Sequence, residues 1–409
     1  MELNTIFPGK WVNNHGIITL KKGKESIIKS KHPWIFSGAI DKTENISENG
    51  QLVLVKSHLN ETLAIGSFSK SSQISVRIWS FNPSTKIDKK FFKERFDNAF
   101  NLRKNMIDLT KTNAFRIINS ESDFLPGLIV DYYSGYYVVQ FLSAGMEYFR
   151  KQIIEIISEQ KDCLGIFERS DTESRKKENL PIKKEKLLGD LIPDKVIFKE
   201  NEINFYADLL NGHKTGFYID QRENRQLLQE FSKGKNILNC FSYTGGFSVY
   251  ALKGFANFVT NIDSSANALK LAEENHSLND ISLNKFRNIE GDVFQVLRNF
   301  RDENKKFDLI VLDPPKFADS VSNVKKAARA YKDINLLAMK LLDENGILFT
   351  FSCSGHISRE LFHKIINDAA LDSNKDVRFL SILNQSKDHP ILSSFPESLY
   401  LKGLICSVN

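Results

Sequence analysis

The hydrophobic and polar positions of the chain follow three successive patterns. Up to about residue 80, short runs of β-branched residues alternate or cluster between turn residues, as in QLVLVKSH and ISVRIWSF. This pattern predicts a small all-β barrel. Residues 88–106 change to a helical period, because Phe92, Phe96 and Phe100 recur every four positions and share one helix face. We expect this phenylalanine stripe to pack into a core rather than to bind a ligand.

A mixed pattern follows this helix. Strand-like segments return between residues 114 and 170, and the residues at 146–160 predict a helix among them. The stretch 171–190 is polar and dense in charge, so we expect an exposed loop there. Together these segments predict a small central α/β unit.

The last part of the chain alternates strands and helices. The segment KVIFKENEINFYADL predicts a β-hairpin, and helices are predicted from about 246 and at 265–278, 293–301 and 323–342. The apolar strands between these helices predict a parallel sheet covered by helices on both faces. At the end of the chain, VRFLSIL and LKGLICSV are expected to form an antiparallel pair at the sheet edge.

These patterns place the fold in the α/β class with three domains. We expect a β-barrel at residues 1–88, a central domain with an EEHEE-like order at 89–192, and a Rossmann-like sheet with an antiparallel terminal hairpin at 193–409. The length of 409 residues fits two or three domains of ordinary size. Its 31 Phe, 11 Tyr and 3 Trp supply ample material for their cores.

The net charge of +6 is concentrated at the N-terminal end of the chain. Residues 1–90 carry 13 basic and 7 acidic side chains, whereas 91–200 carry 18 of each and 201–409 carry 25 of each. A basic module ahead of a neutral body indicates that the N-terminal domain binds an anionic partner.

The sequence gives no indication of a metal site or a membrane segment. Its four cysteines are scattered, and no two are spaced as a metal-ligand pair, which favours reduced thiols in a cytoplasmic protein. The N-terminus MELNTIFPGKW lacks an apolar run of signal-peptide length, and no stretch approaches 18 consecutive apolar residues. We therefore expect no membrane partner.

The turn after the first strand of the predicted parallel sheet, in NCFSYTGGFSVYAL, contains Gly245 and Gly246. Glycines between a strand and a helix let the backbone approach a ligand and place donors at the helix N-terminus. The segment is not a GxGxxG fingerprint, so a dinucleotide is less favoured, and it is not a Walker loop, because no GK[ST] follows.

Three acidic residues are predicted at the ends of successive strands, namely Asp263, Asp292 and Asp313. Ligands of α/β sheets bind at the carboxyl ends of strands, where a carboxylate after the second strand can hydrogen-bond a ribose. Any one of these residues is as readily a helix cap, but the three together with a glycine turn predict a nucleoside ligand. Because no phosphate loop is present, a nucleoside with an uncharged or cationic tail fits, as in S-adenosylmethionine (SAM).

The segment Asp313-Pro314-Pro315-Lys316-Phe317 is the most specific local motif. Two prolines after a buried strand fix a rigid turn, which presents carbonyl groups and the carboxylate to the pocket. Methyltransferases that act on amino groups of adenine or guanine use a related pattern with an aromatic residue at the place of Lys316. Here the aromatic residue, Phe317, comes one position later. This difference argues against an exocyclic amino group, stacked flat on the aromatic ring, as the methylation target.

Cys353 ends the fifth predicted strand, beside the strand that precedes Asp313. A free cysteine is often a buried core residue, which is what we expect of Cys240 and Cys406 within their strands, but at a strand's carboxyl end a nucleophile is favoured. Carbon 5 of a pyrimidine accepts a methyl group only after a thiolate adds at carbon 6 and makes an enamine. A carboxyl group hydrogen-bonded to ring nitrogen N3 stabilises the developing charge. The sequence thus predicts Cys353 and Asp313 as a catalytic pair.

The sequence resembles the large-subunit ribosomal RNA cytosine-C5 methyltransferases that carry an N-terminal PUA domain. HPWIFSGAI matches the PUA segment, and SESDFLPGLIVD matches the central domain. GHKTGFYIDQREN, CFSYTGGFSVYAL, LDPPKF, CSGH and HPILSSFPESLYLKG match the catalytic domain in order. The resemblance covers nearly the whole chain. It implies a class I SAM-dependent enzyme that forms 5-methylcytosine in 23S ribosomal RNA, in a family that is often homodimeric.

The resemblance also implies the roles of individual residues. The segment from Lys214 to Arg222 would wall the SAM site, and Tyr243 to Gly246 would approach the methionine part of SAM. Asp263 would hold the ribose and Asp292 would lie near the adenine. Asp313 would contact the target base, and Cys353 would be the nucleophile. The predicted cofactor contacts are Lys214, Phe217, Asp220, Arg222, Phe241, Tyr243, Thr244, Gly245, Gly246, Asp263, Ser264, Asp292, Val293 and Asp313, and the predicted RNA contacts are Pro314, Pro315, Lys316 and Phe317.

Other functions fit parts of the sequence. A related enzyme would methylate a guanine nitrogen without covalent catalysis, and Cys353 would then be incidental. A non-catalytic RNA-binding factor in ribosome assembly would keep a vestigial SAM site, although the intact acidic residues and Cys353 argue against it. Uracil is open to the same chemistry as cytosine, because the sequence does not fix which pyrimidine is recognised.

Overall fold

The computed structural model describes residues 15–189, 193–318 and 320–409, and the strands of these residues form four sheets. The first 14 residues of the predicted barrel lie outside the described residues. So do residues 190–192, where we place the boundary between the central and last domains. The α/β class expected from the sequence is confirmed.

The N-terminal part of the chain folds into a six-stranded sheet with one short helix. Its elements are β1 (Gly16–Leu20), α1 (Ser26–Lys29), β2 (Trp34–Phe36), β3 (Ile40–Glu44), β4 (Leu52–Lys56), β5 (Thr62–Phe68) and β6 (Ile74–Ser80). The strand order is β2-β6-β5-β4-β1-β3. β1 pairs in parallel with β4, and the other neighbours are antiparallel. Alternate residues such as Ile18 and Leu20 are fully buried, as period-two strands require.

Helix α2 (Lys89–Met106) follows, as its phenylalanine period predicts. The carboxylate of Asp88 caps it by accepting a hydrogen bond from the backbone N–H of Phe91 at 3.0 Å. Phe92 and Phe96 are buried, and Phe100 packs against the same core.

The first sheet and helix α2 share one hydrophobic core. Trp79 of β6 is buried, and its ring lies edge-on to Phe92 with centroids 5.4 Å apart. Leu52 and Ile65 belong to the same cluster. Removing the first sheet would therefore expose this core to solvent, so its role is better tested by point substitutions than by deletion.

The central part of the chain forms a five-stranded sheet. Its elements are β7 (Ala114–Asn119), β8 (Leu128–Tyr133), β9 (Tyr136–Phe141), α3 (Ala144–Tyr148), α4 (Arg150–Ser158), β10 (Gly165–Ser170), α5 (Glu173–Lys177) and β11 (Lys183–Leu188). The strand order is β11-β10-β9-β8-β7. The helix predicted at 146–160 is in fact two helices that meet at Phe149.

The loop expected at 171–190 was a wrong prediction, because this stretch contains α5 and β11. β11 pairs antiparallel with β10 at the edge of the sheet. Its sequence, KKEKLL, exposes charged side chains that resemble a loop. Charged residues, lysine above all, are what an edge strand needs to avoid pairing with other chains.

The last part begins with a separate hairpin of β12 (Val196–Glu200) and β13 (Ile203–Ala207), as predicted. A seven-stranded sheet follows. Its elements are α6 (Arg222–Phe231), β14 (Asn236–Cys240), α7 (Gly246–Lys253), β15 (Phe258–Asp263), α8 (Ala266–Ser277), β16 (Phe286–Glu290), α9 (Val293–Asp302), β17 (Phe307–Leu312), α10 (Val324–Leu341), β18 (Leu342–Ser352), α11 (Arg359–Ser373), β19 (Val377–Leu383) and β20 (Lys402–Val408).

The seven strands lie in the order β16-β15-β14-β17-β18-β20-β19. The first five are parallel, and β20 is antiparallel to both β18 and β19. This confirms the parallel sheet and its antiparallel terminal pair. Because β14 and β17 are neighbours while the chain leaves them in opposite directions, a crevice opens at their carboxyl ends. Helix α11 was not among our predictions, although Phe362, Ile366 and Ala369 form a buried stripe on it.

Within the described residues, no helix is long and apolar enough to cross a membrane. The same part of the chain contains no group of three or more His, Cys, Asp or Glu side chains arranged to hold a metal ion.

Candidate cofactor and catalytic site

A cavity of about 330 Å³ lies at the carboxyl ends of β14, β15, β17 and β18. This volume is within the range of small-molecule pockets, about 300–1,000 Å³. It is lined by most of the predicted cofactor residues, by three of the predicted RNA contacts and by the predicted nucleophile. These are Lys214, Phe217, Asp220, Phe241, Tyr243, Thr244, Gly246, Asp263, Ser264, Asp313, Pro314, Pro315, Lys316 and Cys353.

The other predicted residues have structural contacts away from the cavity wall. Asp292 caps α9, because its carboxylate accepts a hydrogen bond from the backbone N–H of Gln295 at 3.0 Å. Val293 is buried in the core, and Phe317 packs on Tyr331 with ring centroids 4.7 Å apart. The capping role, which we weighed for each acidic residue, is therefore the role that the structure shows for Asp292.

Gly245 is the residue that lets the chain turn from β14 into α7. Its φ of +75° lies in the left-handed region, and a Cβ atom there would come within 3.0 Å of the Ala272 side chain. Phe241 and Tyr243 are also left-handed, with φ of 59° and 47°, which is strained for aromatic residues. Three such residues in five indicate a turn held in shape by its surroundings.

Asp263 holds this turn. One carboxylate oxygen accepts a hydrogen bond from the backbone N–H of Tyr243 at 2.8 Å, and the other accepts one from the N–H of Ser265 at 2.9 Å. The carboxylate also lines the cavity. Asp263 therefore connects the glycine turn to the end of β15 and faces the cavity.

The wall opposite the turn is the segment 213–221. The Lys214 ammonium lies 2.5 Å from a carboxylate oxygen of Asp220, and the Tyr400 hydroxyl donates to the same oxygen at 2.6 Å. Lys214 and its contacts hold the pKa of Asp220 well below its usual range, although the carboxyl is buried. The ring of His213 stacks on Tyr243 with centroids 4.8 Å apart, so this wall closes against the glycine turn.

Three buried polar atoms at the cavity wall have no hydrogen-bond partner among the described residues, namely Ser242 Oγ, Thr244 Oγ1 and Asp220 Oδ1. Buried polar groups are ordinarily satisfied, and because these three atoms lie at the cavity wall, a molecule bound in the cavity would supply their partners. SAM carries amino, carboxylate and hydroxyl groups as well as a flat adenine ring. The unsatisfied atoms, the Asp263 carboxylate and the Phe241 ring fit this combination.

Asp313 and Cys353 lie together at one end of the cavity. β17 and β18 are parallel neighbours with Leu312 opposite Thr350, so both residues follow directly on paired strands. The Cys353 thiol lies 4.0 Å from the carbonyl oxygen of Pro314. The structure thus places the predicted nucleophile beside the turn that carries Asp313.

The two groups have raised pKa values. Burial and the nearby Asp220 carboxylate raise the pKa of Asp313 to about 7. Burial and Asp313 raise the pKa of the Cys353 thiol to about 11, while Lys214 opposes the shift. Near neutral pH, Asp313 is therefore available as a hydrogen-bond donor, whereas the thiol needs a stabilising positive charge to react.

Sequence reasoning missed several cavity residues that follow from the same motifs. Arg225 directly follows the matched segment GHKTGFYIDQREN and forms a buried ion pair with Glu200 at 2.6 Å. Its guanidinium also lies over the Phe217 ring, 4.8 Å from the centroid. Tyr218 and Gln221 line the cavity within that segment. The motif indicated their region, but only the fold shows which side chains face inward.

Arg222 belongs to a buried network around Asp388. Its guanidinium donates to both Asp388 carboxylate oxygens, at 3.0 and 3.2 Å. Asp388 also accepts from the backbone N–H of Arg116 at 2.8 Å, and its carbonyl accepts from Arg103 at 2.9 Å. The Arg222 charge holds the pKa of Asp388 far below its usual range. This network joins the central sheet to the segment before β20.

We expect the substitution Asp388→Ala to lower the free energy of unfolding by about 3 kcal/mol, because the buried Arg222 charge loses its main partner and keeps only the partly exposed Glu223 carboxylate. Denaturant titration, compared with Asp376→Ala at an exposed position, measures the difference. The higher free energy of unfolding of the wild type relative to Asp388→Ala should be fully present above pH 3.8, the ordinary pKa of aspartate. It should decrease as the pH falls below that value. Equal stability of the two variants would show that the network contributes little.

The profile of the S-adenosylmethionine-dependent methyltransferase family matches residues 184–388, and that of the PUA-like domain matches residues 18–81. Among solved structures, a protein from Streptococcus mutans described as a SAM-dependent methyltransferase superposes with a TM-score of 0.83. It is 22% identical and covers 96% of this chain and 99% of its own, which shows a shared fold.

Curated relatives are similar over nearly their whole length. Ribosomal RNA large subunit methyltransferase I of Tolumonas auensis is 45% identical over 389 residues, which is 95% of this chain and 98% of that protein. The proteins of the same name from Aliivibrio fischeri and Escherichia coli are 44% and 42% identical, each over 96% of this chain and 99% of their own.

Proposed function

We propose, on the premise that this chain belongs to the ribosomal RNA large subunit methyltransferase I family, that it methylates carbon 5 of a cytosine in 23S ribosomal RNA. The chain is a SAM-dependent methyltransferase. The choice of atom and base is our proposal. The single observation that carries it is the juxtaposition of Asp313 and Cys353 at the ends of adjacent strands, in the cavity that fits SAM.

In the proposed reaction the Cys353 thiolate attacks carbon 6 of the base and forms a carbon–sulfur bond. The ring then becomes nucleophilic at carbon 5, which takes the methyl group. SAM supplies that methyl group as an electrophile. A base removes the proton from carbon 5, and the electron pair left behind expels the thiolate. Cys353 is thereby regenerated.

Asp313 stabilises the charge that the attack creates. Addition at carbon 6 pushes electron density onto ring nitrogen N3, and a carboxyl group there donates a hydrogen bond to it. Because its pKa is raised to about 7, this carboxyl carries a proton in about half of the molecules at neutral pH and in more of them at lower pH. The two prolines that follow fix the turn, so the carboxyl stays oriented when the base enters.

The target base must leave its stack to reach this cavity. We propose that the adjoining RNA lies in a second cleft, of about 920 Å³, between the first sheet, helix α2 and the segment before β20. Leu392 and Ser394 line this cleft, and Leu401 of the same segment lines the cofactor cavity. The segment before β20 therefore borders both the cofactor cavity and the proposed RNA-binding cleft.

The charge and the shape of this cleft support an RNA partner. Lys29 and Lys31 are exposed at its rim, and neither forms an ion pair with a carboxylate in the described part of the chain. The Phe124 ring is 51% exposed and its backbone is left-handed, with φ of 58°. The Arg95 guanidinium donates a hydrogen bond to the backbone carbonyl of Phe124, which holds the Phe124 backbone at the cleft. Lysines suit phosphates, and an exposed aromatic ring suits a stacked base.

We expect Phe124→Ala to weaken the binding of a large-subunit RNA fragment by about 5- to 150-fold, because the loss of one stacked base costs about 1–3 kcal/mol. SAM affinity should not change. The matched control is Phe255→Ala, because Phe255 is also exposed, at 76%, and left-handed, but lies at the end of α7. RNA affinities that are equal in the two variants would move the RNA surface away from this cleft.

The proposed function is tested by nucleoside mass spectrometry. Large-subunit ribosomal RNA from cells with and without the gene should differ by a single 5-methylcytosine, and the purified protein should restore it in the presence of SAM. A difference at a guanine nitrogen would identify the alternative chemistry without a covalent step. RNA that is identical in both cells would contradict methylation altogether.

A further inference from the structure

Lys402 is a buried lysine beside the proposed nucleophile. It is the first residue of β20 and pairs with Ser352, the last residue of β18, which directly precedes Cys353. The residue is only 5% exposed. The side chain was not among the sequence-based candidates, because its position depends on the pairing of β18 with β20.

The ammonium group of Lys402 is held by two carbonyl groups. It donates to the carbonyl of Ser354 at 3.0 Å and to that of Tyr400 at 2.8 Å. Ser354 follows Cys353 in the chain, so the ammonium is tied to the backbone that carries the thiol. The hydrogen bonds fix the position of the charge but do not neutralise it.

No carboxylate among the described residues forms an ion pair with Lys402. A buried ammonium without a counter-ion is unfavourable, and burial lowers the pKa of Lys402 to about 8. An ionised Cys353 thiolate opposes this shift and raises the pKa of Lys402, whereas Arg359 of α11 lowers it further. The site therefore contains an uncompensated positive charge next to a group that must become an anion.

The other charges near the thiol do not fill this role. Lys214 favours the Cys353 thiolate, but Asp220 pairs with Lys214 and acts in the opposite direction. Asp313, when ionised, also disfavours the thiolate. Lys214 is already paired with Asp220, whereas Lys402 gains a counter-ion only when the Cys353 thiol loses its proton.

We propose that Lys402 is a positioning residue that stabilises the Cys353 thiolate through an ion pair formed when the thiol ionises. The inference rests on the proposed function, in which this thiolate attacks carbon 6. The proton of the thiol passes to solvent. The ammonium keeps its own protons and its two carbonyl contacts, because the negative charge of the thiolate raises the pKa of Lys402. When the thiolate attacks the base, its negative charge moves into the ring and the ion pair with Lys402 is lost. Expulsion of the thiolate at the end of the reaction restores this ion pair.

The test is the pH dependence of alkylation of Cys353 by iodoacetamide, followed by peptide mass spectrometry because Cys163 is also partly exposed. Lys402→Gln keeps a donor but removes the charge, and it should raise the apparent pKa of Cys353 by about one unit. Alkylation at pH 8 should then be about tenfold slower. Lys402→Arg should titrate like the wild type, as should the control Lys340→Gln at an exposed position of α10.

Thermal melting and SAM binding establish that each variant is folded. If Lys402→Gln fails to fold, Lys402→Met replaces it, because methionine keeps the aliphatic volume and also lacks the charge. A folded neutral variant in which Cys353 titrates as in the wild type would overturn the inference. This titration uses no RNA, so it is separate from the nucleoside analysis. Methylation of a guanine nitrogen together with a Lys402-dependent thiol pKa would overturn the proposed function alone.

Discussion

The substitution Cys353→Ala is expected to reduce methyl transfer to large-subunit RNA by about a thousandfold or more. Without the thiol, carbon 5 of the base is not activated, and no other described cysteine lines the cavity. The measurement is the single-turnover rate with labelled SAM. A large loss of kcat with little change in RNA affinity is the expected pattern, because the side chain acts on the reacting atom.

The control for this variant is Cys163→Ala, which removes a half-buried thiol between α4 and β10. SAM affinity should be equal in both variants and in the wild type, because the predicted ribose and adenine contacts are intact. A near wild-type rate for Cys353→Ala would contradict the covalent mechanism and favour methylation of a nitrogen atom.

The substitution Asp313→Asn is expected to lower kcat about a hundred- to a thousandfold at saturating SAM. An amide can donate a hydrogen bond to N3. It is a much weaker acid than a carboxyl group, so it stabilises the developing charge less and cannot transfer a proton to N3. The exposed Asp343→Asn serves as a control. An unchanged kcat would show that Asp313 does not act on the base.

The pH dependence of the wild type should report the same carboxyl group. Its pKa is raised to about 7, so it is protonated below that pH and loses its proton above it. The step that depends on Asp313 should therefore weaken as the pH rises through 7, and Asp313→Asn should lack this limb. Between 3.8 and about 7 the folded protein holds a proton that the unfolded chain has lost, so this group makes folding less favourable as the pH rises.

The sequence predicts which strand-end residues line the cavity, and the reason is geometric. Parallel strands bring their carboxyl ends to one edge of a sheet, so Asp263, Asp313 and Cys353 meet although up to 90 residues separate them. Asp292 shows the limit of this argument. It also follows a strand, but the N-terminus of α9 uses its carboxylate as a cap.

The contacts that the sequence does not predict join distant segments. Tyr400 and Lys402 reach Asp220 and Ser354 because β20 lies between β18 and β19, and no local pattern specifies that insertion. Strand β11 was missed for a different reason, since the charged residues of an edge strand have the composition of a loop. In both cases the pairing of distant strands, rather than the local preference of the residues for strand or loop, determines the structure that forms.

The proposed mechanism requires a covalent bond between Cys353 and carbon 6 of a cytosine. RNA in which the target is replaced by 5-fluorocytosine tests it directly, because fluorine at carbon 5 cannot leave as a proton does. With SAM present, we expect a protein–RNA complex that survives denaturation. The cross-link should map to the peptide containing Cys353 and should be absent in Cys353→Ala. Full methylation of the unmodified RNA, with no such complex from the fluorinated RNA, would contradict it.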